Sequence, residues 1–195
     1  MRLSGERIFL RPWKKSDIPR IAEICSDKTI SRFTHVPFPY AKKHARNFVS
    51  ASEKARRKKR EFNFAVVLKK ENKLIGSASL MRLDWHDKLG VVGYWLAREN
   101  RGQGIMPEAC LLLLDFGFNK LKLHRIEIDC AVGNRASRRV IEKLGFSFEC
   151  IKRERGLLGN KFTDVRSYSM LDREFKKKKN KTQESASIAL IASFV

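Results

Sequence analysis

The sequence predicts an α/β fold of the α+β kind, in which a mixed, mostly antiparallel twisted sheet is flanked by helices. Three observations predict it. Between residues 62 and 97, three segments rich in β-branched and aromatic side chains follow one another through short polar turns, the pattern of antiparallel hairpins. An apolar helical stretch from Met106 to Asn119 then leads to a strand-like segment from His124 to Val132, which makes a β-α-β crossover with two roughly parallel strands. Two further strand-like segments follow, Ser147 to Arg155 and Thr163 to Leu171.

Taken in order, Arg7 to Trp13 alternate as a strand does, and Pro12 confines that strand to an edge or an ending. Ser16 is expected to cap a first helix that places Ile18, Ile21, Ala22 and Cys25 on one face. Thr34 to Tyr40 hold Pro37 and Pro39 and read as an aromatic loop. A second helix from Ala41 to Arg60 carries Ala45, Phe48, Val49 and Ser52 as its apolar stripe, and its other faces are crowded with Lys and Arg. Phe62 to Lys69 and Leu74 to Leu83 pair as a hairpin, and Leu89 to Ala97 supply a third strand. The helix from Met106 is apolar nearly all round, so it packs into the core. Asn134 is positioned to cap a crossover helix bearing Ala136, Val140, Ile141 and Leu144, and Gly145 stops it. The last two strands enclose a loop from Gly156 to Lys161. One domain spans residues 1–175, and a basic tail, 176–195, opening with four lysines, is expected to be disordered.

At 195 residues the chain fits one domain with a substantial core. Its net charge of +21, from 42 Lys and Arg against 21 Asp and Glu, calls for an anionic partner such as nucleic acid, a ribosome surface or a polyphosphate. The same field repels polyamines at long range. Four widely spaced cysteines and four histidines show no ligand spacing, so no metal is expected. No apolar run approaches the ~20 residues needed to span a bilayer, so no membrane association and a cytoplasmic location are expected.

The stretch on which the chain is organised is GYWLARENRGQGIMPEA, residues 93–109. It reads as a strand, a turn in which Gly102 and Gly104 allow positive φ and close approach of a ligand, and a helix with Pro107 in its first turn. Free amides converging with the positive end of a helix dipole make an anion site suited to a diphosphate. A G-x-G alone is weak, and neither the phosphate-loop Lys-Ser/Thr pair nor the six-residue dinucleotide fingerprint is present.

Together GYWL at 93–96, RGQGIMPEA at 101–109, NRASRRVIEKLGF at 134–146 and TDVRSYSML at 163–171 resemble the GNAT superfamily of acetyl-CoA-dependent N-acetyltransferases over roughly residues 6–175. The branch they look most like is the ribosomal-protein N-terminal alanine and serine acetyltransferases. The resemblance implies a GNAT fold whose central parallel strands splay to admit the pantetheine arm of acetyl-CoA. It implies that backbone at Arg101, Gly102, Gln103, Gly104, Ile105 and Met106 cradles the diphosphate, with backbone at Trp95 and Leu96 beside the arm. It places Asn134 against the pantetheine and Ser137 near the thioester; capping alone also explains both residues. Two departures stand out: Ile141 replaces a tyrosine that many members use to protonate the leaving thiolate, and Val91 and Val92 occupy the neighbourhood of a frequent glutamate.

The implied chemistry is direct attack of a neutral amine on the thioester, an oxyanion held by a strand amide, and protonation of the thiolate by Ser137. An α-amine of pKa ~7.8 is about one-quarter neutral near pH ~7.3, whereas a lysine of ~10.4 is neutral in only about one molecule in a thousand. Without an evident carboxylate base, a protein N-terminus suits the site better than a lysine. His35, Glu99 and Asp129 are the candidate bases or relays. The expected acceptor is therefore the N-terminus of a protein, ribosomal by resemblance, with non-specific attraction to RNA. The alternatives are a small-molecule amine acetyltransferase of the same fold and a non-catalytic RNA- or ribosome-binding relative.

Overall fold

The computed structural model describes residues 1–180. Eight strands form one sheet in the order β1-β2-β3-β4-β5-β6-β8-β7. These are β1 (Leu3–Ser4), β2 (Ile8–Pro12), β3 (Phe62–Leu68), β4 (Leu74–Asp84), β5 (Leu89–Leu96), β6 (Arg125–Ala131), β7 (Ser147–Leu158) and β8 (Lys161–Leu171). All neighbours are antiparallel except β5 and β6, as the crossover requires.

The sheet is covered on both faces. Ile8 and Leu10 of β2 point into a core with α4 (Ile105–Asp115) and α5 (Arg135–Leu144), while Phe9 between them points into a second core with α1 (Ile18–Cys25) and α3 (Lys42–Arg57). Because both faces are covered, β3 is buried from Phe62 to Val67 without alternation. Helix α4 buries Ile105, Met106, Ala109, Cys110, Leu113 and Leu114, as its all-round apolarity predicts, and continues into a π-type turn, Phe116–Lys120.

Several boundaries differ from the sequence reading. Helix α1 begins after a 3-10 turn, Lys15–Asp17, so Ser16 is not its cap. Asp17 is the organising residue: its buried carboxylate accepts two hydrogen bonds from Arg11 at 2.7 Å and one from the Lys14 amide at 2.8 Å. A short helix, α2 (Lys28–Ser31), forms on an Asp27 cap and was not expected. Ala136 of α5 is exposed rather than facing the core. Strands β7 and β8 extend through the expected 156–161 loop and leave a turn only around Gly159, whose φ is +60°.

The boundary placed at 176 falls inside an element, since residues 172–180 are helical (α6). Phe175 is buried against Phe118, and Lys179 pairs with Asp115 at 2.7 Å. The rest of the expected disordered tail, 181–195, lies outside the described residues. No helix among the described residues is long and apolar enough to cross a membrane, and no cluster of His, Cys, Asp and Glu among them has metal-binding geometry.

Candidate active site

The parallel pairing of β5 with β6 runs only from Leu89↔Arg125 to Val92↔Ile128. Both strands continue past that point, as Gly93–Leu96 and as Asp129–Ala131, without pairing to each other. On its other side β5 stays bonded to β4 as far as Gly76↔Leu96, so the strand is held straight while β6 leaves it. The result is a gap bordered by unpaired backbone of residues 93–96.

The glycine turn lies at the end of that gap. Gly102 and Gly104 have φ of +77° and +74°, and Gly104 is the left-handed N-cap of α4. Among the described residues, no protein atom accepts a hydrogen bond from the amides of Gly102, Gln103, Gly104, Ile105 or Met106. A Cβ at Gly102 would meet nothing within 4 Å, so the space in front of the turn is open to a ligand. Five free amides, an open approach and a helix N-terminus fit an anionic diphosphate.

Arg101 is the exception among the expected cradle residues. Its amide already donates to Arg98 O at 3.2 Å, and its guanidinium ties the turn to the Leu96 carbonyl (2.9 Å), Thr29 (2.7 Å) and Asp27 (3.2 Å). Arg101 therefore shapes the turn and offers no amide to a ligand. The other side is fixed by Arg7, which donates to Gln103 O at 2.8 Å and pairs with Glu108 at 3.0 Å. That engagement turns the one acidic group of the first turn of α4 toward β2.

A cavity of about 640 Å³ is bounded by both strands of the gap, through residues 91–95 and 128–131. Trp95, Asn134 and Ser137 line it, whereas Leu96 and residues 101–106 do not. The sequence-predicted residues thus divide into two groups, one lining this cavity and one at the glycine turn. The Trp95 ring packs with the second core, stacked on Trp13 at 6.2 Å. Asn134 Oδ1 accepts from the Ser137 amide at 3.1 Å and caps α5, which fixes Ser137 at the cavity wall.

The residue that sequence reasoning missed as a functional group is Tyr94. Its hydroxyl lies 2.8 Å from Ser137 Oγ, and burial pushes its phenol well above the ordinary range, so it stays protonated. The signal was present in the alternation of β5, which puts Tyr94 on the face of Val92 and Leu96, toward the crossover helices. Ile141, which replaces the tyrosine usual in the superfamily, is fully buried in the core. A hydroxyl pair from β5 and α5 occupies the cavity wall instead.

Of the candidate bases, Glu99 is excluded by position. It is absent from the cavity, and its own backbone and then Arg20 (2.6 Å) hold its carboxyl below the usual range. His35 and Asp129 line the cavity, with Asp129 facing Lys152 at 3.6 Å. His44 lines it as well; its Nδ1 accepts from the Ala41 amide at 3.0 Å, which leaves Nε2 for other partners. Cys130 also borders the cavity, and burial pushes its thiol up to about 11.

Comparison with known proteins places the chain in a family. Residues 7–147 match the family model described as an acetyltransferase (GNAT) domain. The ribosomal N-acetyltransferase candidate YdaF of Bacillus subtilis (strain 168) is 38% identical over 109 residues, covering 56% of this chain and 60% of that protein. The ribosomal-protein-serine acetyltransferase of Escherichia coli (strain K12) is 32% identical over 102 residues, covering 52% and 57%. The matched region thus spans less than two thirds of either relative. The solved RimL, a ribosomal L7/L12 α-N-protein acetyltransferase in complex with coenzyme A, superposes with a TM-score of 0.82 at 19% identity over 88% of this chain and 98% of that one, a likeness of fold.

Proposed function

The chain belongs to the GNAT family of acetyl-CoA-dependent acyltransferases, and from that premise we propose that it acetylates the N-terminal α-amine of a protein, a ribosomal protein in particular. The observation that carries the acetyl-transfer reading is the strand gap that joins two differently built sites. At the glycine turn the amides of Gly102 to Met106 hold the diphosphate. The cavity receives the acceptor.

Backbone of residues 94–96, unpaired toward β6, flanks the thioester arm and supplies an N–H that donates a hydrogen bond to the oxyanion. The acceptor nitrogen forms its bond to the thioester carbon, and collapse of the tetrahedral adduct breaks the carbon–sulfur bond. Ser137 passes its proton to the departing sulfur, its hydroxyl held in place by the 2.8 Å hydrogen bond with Tyr94, and recovers a proton from water entering the cavity. The amine's surplus proton leaves through a water or through His35 or His44 at the cavity wall.

The choice of a protein N-terminus rests on the charges of the cavity. Asp129 is its one carboxylate among the described lining residues, and Lys152 stands against it, while Arg82 and Arg155 add positive charge. A polyamine gains nothing there. An α-amine already partly neutral needs little help from a base. The similarity to ribosomal-protein acetyltransferases supports the same acceptor class.

The test is transfer of labelled acetyl from acetyl-CoA to a panel of peptides with free Ser or Ala N-termini, N-terminally blocked lysine peptides, and spermidine, read by mass spectrometry. Label on the free α-amines is expected. Faster labelling of spermidine or of the blocked lysine peptides would overturn the acceptor assignment.

A further inference from the structure

An unbroken run of five basic residues, Arg56 to Arg60, begins at the C-terminal end of α3 and continues past it, with Lys54 two residues earlier. Lys54, Lys58, Lys59 and Arg60 are exposed and take part in no ion pair among the described residues. Arg57 is paired with Glu53. The run is docked onto the β4–β5 hairpin. The Leu83 amide donates to Arg60 O at 3.3 Å, and the Trp85 indole N–H donates to Lys59 O at 3.0 Å.

Trp85 is 46% exposed although its polar edge is satisfied by the helix end. Its ring is therefore held in a fixed orientation beside the cations, with apolar surface toward solvent. Lys59 has φ +52°, in the left-handed region that favours glycine, and Arg82 and Lys88 of the same hairpin have φ +49° and +53°. Carboxylates on this side are few: Glu53 is tied to Arg57, and Asp84 accepts from the amides of His86 and Asp87 to close the turn. Glu61 accepts from Asn63, and Asp87 is exposed.

We propose that the C-terminal end of α3 and the β4–β5 hairpin form a binding site for single-stranded nucleic acid, with cations along the phosphates and a base stacked on Trp85. A fixed aromatic platform among unpaired cations suits a strand whose bases are free to stack; a duplex hides those faces. A bilayer suits it less, because the apolar stripe of α3 is already buried through Ala45 and Val49 and has nothing further to insert. Arg82 also borders the acceptor cavity, so a bound strand lies beside it. The site stands apart from the acetyl-transfer reading, and its test does not depend on it.

The measurement is fluorescence anisotropy of labelled single-stranded RNA and DNA oligonucleotides of one sequence, and of the corresponding duplexes, titrated with the full chain over a series of salt concentrations. Four phosphate contacts give a log–log salt slope of about −2.8 for a single strand. The combined Lys58→Gln, Lys59→Gln and Arg60→Gln variant is expected to flatten it by about 2. Trp85→Ala is expected to weaken single-strand binding by about tenfold with the slope unchanged. Lys14→Gln with Lys15→Gln, exposed cations elsewhere, is the control and is expected to bind like the parent. Thermal melting confirms that each variant is folded. The proposal is overturned if Trp85→Ala binds as the parent does, if the control pair loses as much as the triple variant, if duplexes bind as tightly as single strands, or if polyglutamate or anionic vesicles displace the oligonucleotide equally well per charge.

Discussion

Gly102→Ala offers a decisive perturbation of the diphosphate cradle, because the structure supplies its own control. Gly102 (φ +77°) and Gly159 (φ +60°) both have left-handed backbone, and a Cβ at either meets nothing within 4 Å. Left-handed backbone costs an L residue about 1–2 kcal/mol, and the stiffer unfolded chain of alanine offsets about 0.4–1 kcal/mol of that. Each substitution should therefore destabilise the fold by about 1 kcal/mol, a fall in Tm of about 2–4 °C for a chain of this size. The two should part company toward coenzyme A. At Gly102 the added methyl fills the open approach to the free amides, and loss of one charge-assisted hydrogen bond, about 1.5–3 kcal/mol, weakens binding by about tenfold to a hundredfold. At Gly159, in the β7–β8 turn, affinity should stay at the parent value. Calorimetric titration with coenzyme A, alongside thermal melts, reads both quantities. A Gly102→Ala protein binding within twofold of the parent, or a Gly159→Ala protein losing as much, would refute the backbone cradle.

Ser137→Ala and Tyr94→Phe should each lower kcat by about tenfold to a hundredfold with little change in KM for acetyl-CoA. Because the two hydroxyls share one contact, the double variant should fall well short of the product of the single effects; steady-state rates showing full multiplicativity would separate them. Arg11→Ala strands the buried Asp17 carboxylate and should destabilise by about 3–5 kcal/mol, lowering Tm by about 10 °C; a melt within about 2 °C of the parent would show the pair to be dispensable. Glu149 is held below the usual carboxylate range chiefly by its hydrogen bond from Arg125, at 2.5 Å. A depressed folded pKa gives stability that is present above the ordinary value of 4.5 and is lost as pH falls through the folded value. Urea midpoints of Arg125→Gln should therefore converge on those of the parent below about pH 4.5, and a gap that stays constant with pH would count against the linkage.

Much of the fold was legible because its signals are local. Alternation marked β2, β-branched and aromatic runs between polar turns marked β3 to β5, the all-round apolarity from Met106 to Asn119 announced a buried helix, and Gly145 ended α5 at a left-handed φ of +75° as expected. Boundaries slipped where a long-range contact decides. Ser16 has the right chemistry to cap a helix, but Arg11 reaching Asp17 across the strand end moves the start of α1 to Ile18. The loop expected at 156–161 lengthens into strand because β8 offers Thr163 and Phe162 as partners to Gly156 and Leu157. Residues 172–180 are helical where the lysines suggested a tail, since Phe175 finds Phe118.

By itself the sequence determined most of the strands and the longer helices, the glycine turn and the hydroxyl at 137, since these depend on side-chain period, on the freedom of glycine and on residue identity. Only the tertiary structure decided where β5 and β6 part, which amides of the turn remain free, and that Tyr94, unremarked in a strand, meets Ser137 forty-three residues later. The physical reason is that a strand gap and a hydrogen-bonded pair are relations between segments. Their energies arise from what each segment meets after folding, and no window of sequence contains both partners.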